Sequence, residues 1–562
     1  MSWKLKEKAR SLLQEEEGTI IKPWGDKISV ALVYPNYYHV GMANLGFQSV
    51  YFTINSLPYA VCERFFLPEK GDFKEFQRTS TPLFSLESQA PLGSFDIIAF
   101  SLSFENDYAN ILAILDLGGI PLRHSRRKDA HPIVLAGGIT TFLNPEPLAD
   151  FMDLFILGEA EEVLPECLSE IKTARTLQNS RTHLVARLSA IEGVYVPYFY
   201  AVSYGEDGTL ASFVPQKKVP SRVKRRWIQK VDSHVTRSIV TSPLMEFGGM
   251  YLVEISRGCC YDCRFCATGW IYRPVRPRSL KSLTPAIEKG LQSSKKIGLV
   301  SAAVSDHPEI NGICDFIRER GGGLSVSSLR LNALKKELLS ALQESGHQSV
   351  TLAPETGSER LRAVIKKHIS NQDIFDAVEL VALCKIPNLR LYFLVGLPTE
   401  SMSDIEEIVA LTKKIKHTMI SSLKRKTLPG AITLCITPFV PKPFTPFQWV
   451  PFENLSLLRR KINHIQNGLR KERQVLVTFD LPKWAYVQAL LSRGDRRVGK
   501  ILLAVHENGG NWNQAFQMTD INPDFYVYRH RELTELLPWD FIDHGLKKEK
   551  LIAEYHQALT EK

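Results

Sequence analysis

The sequence predicts an α/β fold in three parts: an N-terminal Rossmann-like doubly wound domain, a partial (β/α)6 TIM-like barrel, and a mainly helical C-terminal region. Three observations predict it. Short apolar, strand-like runs alternate with helical stretches from residue 28 to residue 170, as in parallel α/β folds. The alternation weakens after Tyr195 and resumes at Met250. Beyond residue 455 the chain reads as mostly helical. These shifts divide the chain into 1–195, a connector 196–247, the barrel 248–454, and 455–562. A chain of 562 residues has room for about three domains.

In the first domain Ile28 to Tyr34 reads as a buried strand stopped by Pro35, and Gly41 to Leu57 as helix. Phe95 to Leu102 is the next strand, followed by helix from Asn106 to Leu117. Pro132 to Ala136 ends at Gly137-Gly138, and Leu154 to Leu157 ends at Gly158-Glu159-Ala160-Glu161. Small residues therefore collect at the carboxyl ends of the strands: Ser101, Ser103, Gly137, Gly138 and Gly158. Such sheets bind ligands at that edge, because backbone can approach closely there. In the connector Gly205 and Gly208 mark a hairpin ahead of a basic run. The barrel strands are Met250–Ser256, Ile297–Ala302, Ser325–Leu331, Ser349–Glu355, Leu389–Val395 and Ile432–Thr437. Chemistry in a barrel belongs at the carboxyl ends of its strands.

Polar residues in the later strands follow a period of two. Ser349, Thr351 and Glu355 share a face, as do Arg390 and Tyr392, and Thr433, Cys435 and Thr437. The aliphatic residues between them suit the helix-facing side, so the polar faces are expected to point inward.

Composition bounds the setting. Hydrophobic content is 44%, that of a globular protein. Met1 to Glu17 mixes basic and acidic residues and lacks the apolar core of a signal peptide. No apolar run approaches the roughly 20 residues that span a bilayer. The expectation is a cytoplasmic protein without a membrane span, whose nine cysteines are not a disulfide framework. Net charge is +10, concentrated in Arg222-Val223-Lys224-Arg225-Arg226 and in Arg459-Arg460-Lys461 with Arg470-Lys471. That excess leaves an anionic partner such as RNA open, against the plainer reading of a linker or solvated helix face.

The most informative run is Arg257-Gly258-Cys259-Cys260-Tyr261-Asp262-Cys263-Arg264-Phe265-Cys266. Its spacing is Cys259-x3-Cys263-x2-Cys266, and Cys260 breaks that spacing as a loop residue. Four thiolates would close a structural zinc site or a four-cysteine cluster. Three can hold three irons of a [4Fe–4S] cube and leave the fourth open. The pattern resembles the radical S-adenosylmethionine (SAM) superfamily. The resemblance implies that SAM chelates the open iron and is reductively cleaved to a 5′-deoxyadenosyl radical.

Further segments carry the resemblance. Ala353-Pro354-Glu355-Thr356-Gly357-Ser358, with Leu361 and Lys366, resembles the strand that holds SAM. By that likeness Glu355 meets the ribose hydroxyls and Arg360 the SAM carboxylate. Leu394-Val395-Gly396-Leu397-Pro398-Thr399-Glu400 resembles the motif beside adenine, with Gly396 allowing close approach. Where the family commonly has Gly-Gly-Glu for the SAM amino group, this chain has Ser301-Ala302-Ala303-Val304-Ser305-Asp306-His307, and Ser301 or Asp306 is expected to substitute. Arg273, Arg276 and Arg278 are expected to offset the cluster's anionic character. Cys435, on the inward face, would be a hydrogen-atom donor to a substrate radical, or a small packed core residue.

The first domain is similar to the cobalamin-binding domain that precedes many radical SAM cores. The similarity lies in Tyr34-Pro35, Gly41 to Gly46, Ser101-x-Ser103, Gly137-Gly138 and Gly158-Glu159-Ala160-Glu161. It implies that Ser101, Ser103, Gly137, Gly138 and Gly158 contact a corrinoid. The Asp-x-His-x-x-Gly motif is absent; Asn36-Tyr37-Tyr38-His39-Val40-Gly41 stands there, so cobalt would have no histidine below it. Pro438 to Trp449 ends the barrel and is expected to wall the substrate cavity or to serve as a capping loop. Ser492 to Arg497 and Leu537-Pro538-Trp539-Asp540, with the barrel, resemble an uncharacterised bacterial group of cobalamin-type radical SAM proteins.

The implied function is a cobalamin-dependent radical SAM enzyme that methylates or otherwise modifies an unactivated carbon, fed by an external donor such as flavodoxin or ferredoxin. One alternative is an RNA-modifying radical SAM enzyme with a degenerate Rossmann spacer. Only Cys62 and Cys167 precede the connector, too few for the second cluster of the methylthiotransferases. The other alternative is a non-catalytic, cluster-bearing RNA-binding or redox-sensing protein, against which the SAM-like segments count.

Overall fold

The structure, a computed structural model, describes residues 2–327 and 329–561. Its first sheet has the order Ala60–Phe66, Ile28–Tyr34, Ile97–Ser101, Ile133–Gly137, Leu154–Ile156, Val194–Tyr195, all parallel except the last pair. Every residue of Ile28–Tyr34 is buried, as a strand covered on both faces requires. The expected helix from Gly41 is two helices, Tyr38–Met42 and Leu45–Ser56. Asn44 starts the second, its side chain accepting the Phe47 N–H at 2.9 Å.

Strand Ala60–Phe66 was not legible, because Glu63-Arg64 interrupts its apolar run. The structure buries both charges. Arg64 lies between Glu16 at 2.7 Å and Glu87 at 2.6 Å, all three side chains almost wholly buried. Glu63 takes the Trp24 Nε1–H at 2.7 Å and the Ser88 hydroxyl at 2.6 Å.

The connector forms the antiparallel hairpin Tyr200–Tyr204 with Leu210–Pro215. The basic run behind it is neither a solvated helix face nor a free patch. Val223–Lys224 pairs with Ile542–Asp543, Arg225 is buried, and Arg226 bridges Glu162 and Glu166 at 3.4 and 2.8 Å.

The barrel consists of two parallel sheets, Tyr251–Glu254 with Lys296–Val300 and Gly323–Val326, then Ser349–Glu355 with Asn388–Val395, Ile432–Pro438 and Val475–Phe479. The last is a seventh strand, contributed by the region that reads as helical. The third strand ends at Val326, and Leu331–Ala333 is a short 3-10 turn. Leu389, Leu391, Phe393, Val395, Ile432, Leu434 and Ile436 are buried, while Arg390 and Tyr392 are exposed and Thr433, Cys435 and Thr437 half-buried. The period of two therefore separates a packed helix side from an open inner face.

The C-terminal helices tie the two larger parts together. Asn144 of the first domain donates to the carbonyls of Ser492 and Gly494 at 3.1 and 2.7 Å. Arg496 meets Glu146 at 2.9 Å, and Gln488 meets Glu105 at 2.9 Å. The segment expected to wall a cavity is core instead. Phe439, Phe444, Phe447 and Trp449 are buried, Trp449 edge-on to Tyr555 of the last helix. Among the described residues no helix is long and apolar enough to cross a membrane.

Arg64→Ala would strand Glu16 and Glu87 in the interior. A loss of about 3–5 kcal/mol in denaturant unfolding is expected. A loss below about 1 kcal/mol would mean the two carboxylates find other partners.

Candidate functional site

The cysteine loop springs from a short antiparallel base, Ser256–Arg257 against Arg276–Pro277. Gly258 follows with φ +96°, where a Cβ would collide with the Tyr272 carbonyl. Cys263 is buried, Cys259 and Cys266 are half-buried, and Cys260 is exposed; all are free thiols. The Cys263 carbonyl accepts the Cys266 N–H at 3.2 Å and the Trp270 Nε1–H at 3.1 Å. Burial pushes the Cys263 thiol up to about 12, with Lys367 opposing and Cys266 adding to the rise. Burial also raises the Cys259 thiol, again with Cys266 adding to it. Among the described residues no three His, Cys, Asp or Glu side chains close to the geometry of one metal ion. A cube of four irons is wider than one ion, and three free thiols in one short loop are the donor set that three of its irons require. Metal binding there must expel protons.

The loop is clamped from outside. Arg264 donates from its backbone to the Ile365 carbonyl at 3.0 Å, and from its side chain to the Val364 carbonyl at 2.9 Å and Glu554 at 3.0 Å. Lys366 bridges Asp262 at 2.8 Å and Glu554 at 2.5 Å. The last helix, Lys548–Thr560, thus holds the cysteine loop against the segment after Glu355.

Polar groups surround the thiols. Glu355 has φ +67°, a strained value for a non-glycine residue, and accepts from Lys367 at 2.7 Å. The Arg330 guanidinium lies over the Tyr261 ring at 3.0 Å, and its charge favours the thiolates of Cys259 and Cys263. Tyr261 donates to Asp306 Oδ1 at 2.6 Å, while Asp306 Oδ2 is buried without a partner. Sequence reading missed Arg330 and Lys367. Arg330 sits just beyond the end of a barrel strand, where the rule for barrel chemistry would have flagged it.

Several sequence expectations are revised. Arg276 and Arg278 serve Glu159 and Glu254 rather than the thiols, and Arg273 reaches the Cys260 carbonyl at 3.3 Å. The Arg360 guanidinium is held by Asp404 at 2.7 Å and the Thr399 carbonyl at 3.0 Å. Gly396 has φ +86°, and its Cβ position lies 2.9 Å from Glu453 and Leu458, so packing explains the glycine. Ser301 Oγ lies 2.6 Å from Ser256 Oγ. His39 is exposed and lines a different cavity. Cys435 lies on the inner face, 3.5 Å from the Thr478 hydroxyl.

A cavity of about 390 Å³ separates the first sheet from the barrel. Ser101, Ser103, Gly137, Gly138 and Gly158 line one side; Gly258, Thr268, Tyr272, Ser301 and Ala302 line the other. Two of the glycines are dictated by the chain itself. A Cβ on Gly138 would strike the Leu102 carbonyl, and one on Gly158 the Arg226 carbonyl. Gly137 has room, its nearest neighbour being Ile156 at 3.8 Å.

Charges lock this geometry. Glu159 is buried and accepts from Arg276 at 2.6 and 2.9 Å and from the Ile228 N–H at 3.0 Å, with Arg257 at 3.1 Å. Arg257 also meets Glu161 at 2.8 Å and Glu254 at 2.9 Å, and Arg278 meets Glu254 at 2.5 Å. Burial raises the Glu159 pKa, but Arg276 and Arg257 outweigh it and hold the carboxyl below its ordinary value. A depressed folded pKa contributes stability above the ordinary value of 4.5, lost as pH falls through the folded value. Urea unfolding should therefore show wild type weakening below pH 4.5. Glu159→Gln should lose about 3–5 kcal/mol at neutral pH and show a flatter acid limb. An unchanged acid limb would remove Glu159 from that role.

A doubly wound domain packed against a partial barrel, with three free cysteines in the loop after the first barrel strand, is the arrangement to be compared with known proteins. The family model described as "Radical SAM proteins, N-terminal" matches residues 46–197, and "Radical SAM superfamily" matches residues 253–412. An uncharacterized protein of Methanocaldococcus jannaschii is 30% identical over 476 residues, 84% of this chain and 90% of its own length. The chain belongs to the radical SAM superfamily. A protein of Pyrococcus horikoshii named as an uncharacterized methyltransferase is 23% identical over 350 residues, 57% of this chain and 69% of its own. The solved structure of the radical SAM methyltransferase TsrM from Kitasatospora setae, with cobalamin and a [4Fe–4S] cluster bound, shares the fold. It covers 95% of this chain and 100% of its own, at TM-score 0.50 and 13% identity.

Proposed function

We propose that this radical SAM enzyme is cobalamin-dependent and methylates an unactivated carbon. The observation that supports the reading is the cavity between the glycine-serine sheet edge and Arg257-Gly258, the base of the cysteine loop. Cys259, Cys263 and Cys266 would hold the [4Fe–4S] cluster. Asp306 Oδ2, buried and unpartnered, suits the SAM amino group, and Arg330 its carboxylate. Glu355, fixed by Lys367, suits the ribose hydroxyls. Ser101, Ser103 and Gly137 suit the corrinoid, with Phe142 and Tyr272 excluding water from the cavity. Cluster and SAM supply radical hydrogen abstraction, and the corrinoid a methyl group. Cys435, held on the inner face, suits hydrogen-atom donation to a substrate radical. An external flavodoxin or ferredoxin would supply the electron, and the cytoplasm is the compartment that suits an oxygen-sensitive cluster. RNA is disfavoured, because in the main basic run Arg225 is buried and Arg226 is paired with Glu162 and Glu166.

Anaerobic reconstitution tests this. Wild type is expected to bind iron, show corrinoid absorption and release 5′-deoxyadenosine. Joint replacement of Cys259, Cys263 and Cys266 by Ala should abolish iron and 5′-deoxyadenosine; retained iron would refute the ligand set. Gly137→Phe places bulk where the fold tolerates it and should weaken corrinoid about tenfold or more. Wild type that takes up no corrinoid would leave the first domain a spacer.

A further inference from the structure

We propose that the substrate is a polypeptide, docked as an extended strand on the open barrel edge Val475–Phe479. The proposal rests on the radical reading above and names its substrate class.

The edge is unpaired. Val475–Phe479 ends its sheet, bonded only to Ile432–Pro438. The Ile432 N–H donates to the Gln474 carbonyl at 2.9 Å, and the Asp480 N–H to the Ile436 carbonyl at 3.0 Å. Residues 474, 476, 478 and 480 therefore spend their backbone groups inward. Val477 and Phe479 turn theirs out, and among the described residues nothing bonds to them. The other end of the barrel is treated differently. Tyr251–Glu254 is capped by Thr236–Ser238, through Ser238 N–H to Leu252 carbonyl and Glu254 N–H to Thr236 carbonyl, both 2.9 Å. Natural edge strands are usually blunted by lysine, proline or a bulge. The run Val-Leu-Val-Thr-Phe carries no lysine or proline.

The surroundings specify what fits. Leu476 is 57% exposed and Trp484 44%, with Phe479, Leu481 and Phe104 also exposed. The Asn106 side chain donates to the Trp484 carbonyl at 3.3 Å, so this apolar rim runs from the barrel edge to the first domain beside Phe104. Exposed apolar side chains along an unpaired edge strand, Leu476 on one face and Phe479 on the other, suit an interaction surface. Leu476 and Thr478 stand in register with Thr433 and Cys435, which stand in register with Arg390 and Tyr392. A strand added here would continue the inner face, placing alternate side chains in the reaction chamber. Outward N–H and C=O groups at strand spacing are matched by another polypeptide backbone. The strand Val475–Phe479 itself carries none of the cationic side chains that phosphate binding demands.

The test uses the anaerobically reconstituted full chain, with a displayed library of random linear peptides as probe. Wild type should enrich peptides of alternating apolar pattern, and an enriched peptide should slow amide exchange at Val477 and Phe479. Val477→Pro removes an outward N–H without touching the inner ladder, and should weaken that peptide about tenfold while iron content and SAM affinity hold. Phe479→Lys keeps every backbone group and should weaken it comparably. Absence of enrichment, or enrichment indifferent to both substitutions, overturns the proposal. A wild-type dimer that Val477→Pro converts to monomer also overturns it, by assigning the edge to a second copy. Failure to hold iron or SAM strikes the radical reading instead, because peptide capture is scored separately.

Discussion

The position of the three cysteines relative to the first domain depends on one buried carboxylate. Glu159 follows Gly158, where the backbone of Arg226 crosses the sheet edge. Its two hydrogen-bonding oxygens are taken by Arg276, with Arg257 beside them, and these arginines flank the cysteine loop at its base. Burying such charges costs several kcal/mol per ion, offset only by good geometry. The bidentate Arg276 contact supplies that geometry. The return is orientation more than stability. Replacing the network with apolar residues would keep the domains together but let the loop rotate against the sheet edge.

The C-terminal region completes the constraint from the opposite side. Glu554 joins Arg264 and Lys366, so the loop is held between Glu159 on one flank and the last helix on the other. Arg264 is almost wholly buried and finds two carbonyl acceptors besides Glu554. A loop of this kind has little apolar surface of its own to bury. Its rigidity must come from charge-assisted bonds to neighbours. That explains why a segment far along the chain, with no chemistry of its own, packs where it does.

What was legible in the sequence was local. Ile28–Tyr34 and Ser349–Glu355 fall where the apolar runs end, at Pro35 and at the Glu355 turn. The cysteine spacing is local too. Ala60–Phe66 was hidden because its Arg64 is neutralised by Glu16 and Glu87 and its Glu63 is bound by Trp24 and Ser88, all distant in sequence. Val475–Phe479 was hidden because four apolar residues and a threonine after a charged stretch carry too little pattern. Arg330 and Lys367 come beside Tyr261 and Glu355 only once the chain is folded, so the cysteine spacing could not find them. The edge glycines were seen, but their cause was partly misread. At Gly138 and Gly158 a neighbouring backbone, rather than a ligand, excludes the Cβ.

The open inner face remains the least ordinary feature. A full barrel fills its interior with interlocked side chains and gains stability from doing so. Here Arg390, Tyr392, Thr433, Cys435 and Thr437 are left unpacked. Some polar atoms along this face are satisfied by neighbouring strands. The Thr478 hydroxyl donates to the Leu434 carbonyl at 2.9 Å, and the Thr437 hydroxyl to Asp480 at 2.8 Å. The chamber can therefore stand without a ligand and still present unspent groups to one. Its wall is anchored by the buried aliphatic side of the same strands, so substitutions on the inner face should alter what enters more than whether the chain folds. Stability and recognition are thereby assigned to opposite faces of one sheet, and the period of two in the sequence is the mark of that division.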